Sequence, residues 1–224
     1  MFSSLNASNF AFSGDFCNAE FKDILSKIVK CYQFMIEDNV QVPNNENLIR
    51  DSLLMNYLKK NEVREKVGLL NYLFDREVPE DKTIGRTDIK IQTVNTFVDT
   101  DAYYIIECKR LDATNTKGNT GLNAKYIENG ILRFVSTTYS SYYKVNGMIG
   151  FVVQELDIED NVSLINNLFN EFPVISCQMG ICKIGLTENF EYCYHSSHST
   201  NDGDIIIYHL MLDFSKNLIL DVVN

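Results

Sequence analysis

The chain has 224 residues and is 45% hydrophobic, with 12 tyrosines, 14 phenylalanines and only 3 prolines, a composition that excludes a disordered chain and predicts an ordered globular one. Its 30 acidic residues against 20 basic ones give a formal charge of −10, which argues against a protein that coats nucleic acid nonspecifically, since neutralising phosphates takes a basic surface. No run of about 18 uninterrupted apolar residues occurs and no basic segment precedes an apolar one at Met1-Phe2-Ser3-Ser4-Leu5-Asn6, so the expectation is a cytoplasmic protein with no membrane span.

The length suits one domain, read as a mainly helical part over 1–82, a core over 83–156 and a C-terminal helix with strands over 157–224. Six cysteines without a secretion signal read as reduced thiols, with Cys31, Cys108 and Cys182 in apolar settings.

Residues 1–18 have no sustained period. Over 19–37, Phe21, Ile24, Leu25, Ile28, Val29, Cys31 and Tyr32 recur at three and four, the mark of a core-facing amphipathic helix. Pro43-Asn44-Asn45 breaks the pattern, and either asparagine can cap a second helix over 46–60. A shorter helix or helix-turn is expected over 61–74. The charged stretch over 75–82, broken by Pro79, reads as a loop, so the sheet is expected to begin after it.

The segment 87–94 alternates, with Ile89 and Ile91 on one face and Asp88, Lys90 and Gln92 on the other. Residues 95–102 read as a hairpin turn, and Tyr103-Tyr104-Ile105-Ile106 opens an interior strand. A polar, glycine-containing loop over 111–121 follows, placed to meet a substrate and composed for mobility. A helix is expected over 123–139, then a strand over 145–153 buried on both faces, which together make a parallel crossover. The remainder reads as a helix over 161–172 and strands over 177–186, 190–195 and 205–214, with 196–203 as a loop.

Within this frame, Glu107 and Lys109 lie two apart on an apolar strand and share a face. An interior strand does not normally carry such charges unless they pair or hold something. A hairpin centred near Val98 and Asp99 sets Asp88 opposite, or one diagonal step from, Glu107 and Lys109. The bland reading of the trio is an ion pair that ties two strands together.

The run Gly85-Arg86-Thr87-Asp88, followed by Glu107-Cys108-Lys109, resembles the Asp…Glu-x-Lys signature of the PD-(D/E)XK nucleases, the restriction-endonuclease-like superfamily. Thr87 stands where the proline that names the family would be. The resemblance covers the middle of the chain and implies an α/β fold: a restriction-endonuclease-like mixed central sheet flanked by helices, here with an N-terminal helical extension. It implies that Asp88 and Glu107 bind Mg2+ or Mn2+, with the Cys108 backbone carbonyl as a further ligand, and that Lys109 assists the attacking water. Such an ion would neutralise a phosphodiester and activate water.

It further implies that Glu46 reaches the metal from the first core helix, the bland alternative being a solvated first-turn glutamate. Lys125, Tyr126 and Arg133 are the implied substrate contacts; otherwise Tyr126 packs in the core and Arg133 pairs with a surface acid such as Glu128. The implied partner is nucleic acid, DNA ahead of RNA, in anti-phage defence or restriction, with a homodimer as an option. The alternative is a non-catalytic module that binds a protein such as a helicase or ATPase. A weaker third reading is a zinc-stabilised domain using Cys193, His195 and His198, with Cys177 and Cys182 upstream.

Overall fold

In the computed structural model, which describes residues 13–79, 86–136, 138–139, 141–172 and 177–219, the first apolar period becomes helix α1, Ser13–Glu37. Its Phe21, Ile24, Leu25, Ile28 and Met35 are fully buried. Helix α2, Glu46–Leu53, starts where the Asn45 side chain accepts from the Leu48 N–H, and it continues through a π-helical turn, Leu54–Leu58. Helix α3, Asn61–Val67, stops at Gly68, whose φ of +77° is the left-handed conformation that glycine adopts without a Cβ clash.

Seven strands follow: β1 Leu73–Pro79, β2 Arg86–Gln92, β3 Tyr103–Leu111, β4 Val145–Val152, β5 Cys177–Lys183, β6 Cys193–Thr200 and β7 Gly203–Asp213. They form one mixed sheet in the order β1-β2-β3-β4-β7-β6-β5. The central strands β3, β4 and β7 are parallel, and the pairs outside them are antiparallel. Every residue of β4 is buried, as a strand covered on both faces requires. The β3–β4 crossover runs through α4, Leu122–Tyr126, a π turn, Ile127–Ile131, and α5, Leu132–Val135. Helix α6, Ile158–Leu168, is capped by Asp157 accepting from the Asp160 N–H.

The sheet therefore separates two cores. Tyr104, Ile106 and Cys108 of β3 join α1–α3 on one side, whereas Tyr103, Ile105 and Leu111 join α4–α6 on the other. The chain is thus α/β, with a seven-stranded mixed sheet flanked by helices and led by a long N-terminal helix. Among the described residues no helix is long and apolar enough to cross a membrane. All six cysteines are free thiols.

Several boundaries differ from the sequence reading. The sheet begins before residue 82, because β1 takes in the charged residues Asp75, Arg76 and Glu77. Each charge finds a tertiary partner: Asp75 with Lys59, Arg76 with Asp51, Glu77 with Arg50. The strand lies at the sheet edge, where the terminal Pro79 is tolerated. Residues 196–200 are strand rather than loop, since Ser196 and His198 turn inward and bond each other. The 111–121 loop is pinned: Gln154 accepts from the Ala113 N–H at 3.2 Å, and Asn123 donates to the Thr116 carbonyl at 3.0 Å.

Candidate active site

Strands β2 and β3 pair as far as Ile89 opposite Ile106. Continued by two residues, that register would set Asp88 against Glu107 and Thr87 against Cys108. The ladder changes partner instead: the Cys108 N–H donates to Asp88 Oδ2 at 2.8 Å. A side-chain carboxylate thus occupies the gap between two strands, beside the buried Glu107.

Lys109 Nζ lies within reach of four oxygens. It is 2.6 Å from the Cys108 carbonyl, 2.8 Å from Glu107 Oε1, 3.1 Å from Glu46 Oε1 and 3.8 Å from Asp88 Oδ2. Glu46 arrives from the first turn of α2, where its other oxygen accepts from the Arg110 N–H at 3.0 Å. The Arg110 guanidinium also grips the Asn44 carbonyl and side chain, at 3.0 and 2.8 Å, and so fastens the start of α2 to β3.

One helical turn after Glu46, on the same face, Arg50 has its side chain 1% exposed and contacts three carboxylates. It reaches Asp88 Oδ1 at 2.8 Å, Asp51 at 2.9 Å and Glu77 at 3.0 Å. Glu77 adopts a φ of +48°, strained for a residue with a Cβ. On the far side, Arg133 of α5 reaches Glu107 Oε1 at 2.9 Å and the Tyr139 hydroxyl at 2.6 Å. That hydroxyl is 2.7 Å from both Glu107 Oε2 and the Arg86 carbonyl.

Burial dominates the electrostatics. Desolvation, with Asp88 adding its charge, pushes the Glu107 carboxyl up to about 7 against the lowering pull of Lys109 and Arg133. For Lys109, burial disfavours the charge, but Glu107, Asp88 and Glu46 outweigh it and raise the pKa. Lys109 is therefore an ammonium at neutral pH, suited to stabilising negative charge rather than abstracting a proton.

Among the described residues, no group of three or more His, Cys, Asp or Glu side chains is drawn together as a ready metal cage; the acids are each drawn to a cation. The chemistry of the donors nevertheless fits a hard divalent ion: two carboxylates, a third from α2 and a backbone carbonyl, all oxygen. Their convergence on Lys109 Nζ shows a cation accommodated at that point.

Of the residues singled out from sequence, Asp88, Glu107, Lys109, the Cys108 carbonyl, Glu46 and Arg133 come together. Arg133 pairs with Glu107 and not with Glu128. Tyr126 does not join them: it is fully buried, its hydroxyl 2.9 Å from His209 Nδ1, so it packs in the second core and is not presented to substrate. Lys125 is exposed on α4. Gly85 lies outside the described residues. Arg50, Glu77 and Tyr139 were missed; the only trace in the sequence was the four-residue spacing of Glu46 and Arg50.

The zinc reading fails on strand geometry. On β6, Cys193 and His195 face the core that contains Tyr208, whereas His198 points through the opposite face to Ser196 and His209. There a buried chain runs from Tyr126 to His209 Nδ1, from His209 Nε2 to Ser196 Oγ at 2.9 Å, and on to His198 Nε2 at 2.8 Å.

Set against known protein families, curated proteins and solved structures, the chain matches no family model, no curated protein and no solved structure.

Proposed function

We propose that this chain is a metal-dependent nuclease of the restriction-endonuclease-like kind, hydrolysing phosphodiester bonds in nucleic acid, DNA ahead of RNA. One observation carries the reading: Asp88, Glu107, Glu46 and the Cys108 carbonyl, from two strands and a helix, turn their oxygens on Lys109 Nζ at the place where the β2–β3 ladder ends. These four groups would hold Mg2+ or Mn2+, which when bound neutralises phosphate charge and lowers the pKa of water.

The chain's own residues have separable roles. Lys109, kept charged by its acidic neighbours, stabilises the negative charge that develops on the phosphoryl oxygens. Arg133, with its side chain 37% exposed, binds the phosphate from the solvent side. Tyr139 orients Glu107 through its hydroxyl.

The test is plasmid and single-stranded DNA incubated with wild type and with the Glu107→Gln and Lys109→Ala variants, with Mn2+ or Mg2+ and with chelator. Metal-dependent cleavage by wild type and its loss in the variants is the expected result. Cleavage that persists in both variants would remove the assigned site.

A second reading has an observation of its own. Both oxygens of Asp88 and both of Glu107 already have protein donors, as a metal-free interaction module of the same fold would require, and the charge of −10 suits a protein partner. Absence of cleavage on any nucleic acid, together with absence of Mn2+ binding, would favour it.

A further inference from the structure

The carboxylates around this site differ in how firmly their partners are held. Glu107 is paired with Lys109, on a flexible four-carbon stem, and with Arg133, which is partly open to solvent. Asp88 Oδ1 is paired with Arg50, whose side chain is 1% exposed and fixed by Asp51 and Glu77 as well. A guanidinium cannot lose its proton in a protein, and this one is bonded on three sides. Of the three cations Arg50 is the most enclosed, its side chain 1% exposed against 10% for Lys109 and 37% for Arg133.

Two-ion phosphodiesterase sites place their metals about 3.5–4 Å apart as a paired clamp, and a carboxylate that bridges the ions through its two oxygens must have neither oxygen bound to another cation. Asp88 cannot bridge in that way, because Oδ1 is bound to the Arg50 cation at 2.8 Å; Oδ2, which accepts from the neutral Cys108 N–H, is the oxygen that faces Lys109 Nζ. Glu77 is, with Asp51, a further carboxylate that Arg50 holds beside Asp88. Its backbone is held at a φ of +48°, and its side chain is turned onto the same guanidinium at 3.0 Å. Asp88 and Glu77, which would otherwise repel or share a metal, share an arginine.

Resting on the nuclease reading, we infer that Arg50 is a built-in second cation that restricts the site to a single divalent ion. Its guanidinium stands between Asp88 and Glu77, where a second metal would otherwise be held, and it fixes the orientation of Asp88 toward the first. Arg50 is a positioning residue in this scheme, touching neither substrate nor reacting atoms.

The experiment counts ions on the full chain by titration with Mn2+, following free Mn2+ by electron paramagnetic resonance and heat by calorimetry. Wild type is expected to bind one Mn2+ at the site. The Arg50→Gln variant, which leaves Asp88 and Glu77 without their shared cation, is expected to bind two. Arg50→Lys, which restores a fixed positive charge, is expected to return to one, and it decides the matter with the wild-type count if Arg50→Gln does not fold. Two ions on wild type or on Arg50→Lys, or one on folded Arg50→Gln, would overturn the inference while leaving a metal-dependent nuclease intact. No Mn2+ on wild type would instead overturn the nuclease reading and this inference with it.

Discussion

Acidification should weaken this protein through one buried ring, and His198 allows the size of the effect to be worked out. The side chain is fully buried, with Nε2 bonded to Ser196, Nδ1 without a hydrogen-bond partner among the described residues, and the Phe169 ring against it. Desolvation lowers its pKa from 6.5 to about 4. The unfolded chain therefore takes up the proton first as pH falls. The stability held by neutral His198 is whole above about pH 6.5 and is lost progressively down to about pH 4. At pH 5 the linkage relation gives a loss of about 2 kcal/mol relative to pH 7.5. Glu107 opposes this, because its carboxyl is raised to about 7 and the folded state gains protons there first as pH falls, whereas His209 and His195, whose pKa values burial also lowers, add to the loss, so the raw stability curve mixes all of these. The difference between wild type and His198→Gln isolates the histidine. Urea unfolding at pH 7.5 and pH 5 should show wild type losing about 2 kcal/mol more than the variant over that range. Equal losses in the two proteins would refute the argument.

Other perturbations probe the site and the sheet. Lys109→Met removes the ammonium on which the oxygens converge, so on the proposed nuclease reading calorimetry should show Mn2+ binding tighter by on the order of 10-fold while cleavage falls by about 100-fold or more; weaker binding would contradict the shared oxygen set. Tyr139→Phe leaves the buried Glu107 Oε2 without its 2.7 Å donor and should cost about 1.5–3 kcal/mol in urea unfolding. In Gly150→Ala, the new Cβ would meet Leu111 Cδ1 and Met211 Sδ, each at 2.7 Å. Overpacking in the middle of β4 should cost about 1–3 kcal/mol, read as a lower thermal midpoint.

The parts legible in the sequence were those set by local period. The recurrence at Phe21, Ile24, Leu25 and Ile28 predicted a core-facing helix, and parity along two alternating strands put Asp88, Glu107 and Lys109 on one face. What stayed hidden depends on distant partners. Asp75, Arg76 and Glu77 look like a loop because three adjacent charges have no local reason to be sheet; Lys59, Asp51 and Arg50 supply it from elsewhere. Ser196 and His198 carry a loop-like composition for the same reason, since the Ser196 hydroxyl is bonded to His198 Nε2 and to His209 Nε2 from another strand. Arg50 and Tyr139 reach Asp88 and Glu107 only once α2 and the segment after α5 close on β2 and β3, and no spacing within the chain announces that.

Asp88 accepts a hydrogen bond that a backbone carbonyl would otherwise take, from the Cys108 N–H. The last rung joining β2 to β3 is therefore a side-chain carboxylate, and integrity of the sheet at that point is tied to the residues of the candidate site. Asp88→Ala would leave a buried amide unpaired and would let the strands part, so its inactivity would say little about catalysis. Asp88→Asn keeps an acceptor for that rung while removing the charge, and it is the substitution that separates the residue's role as a seam from its proposed role as a ligand.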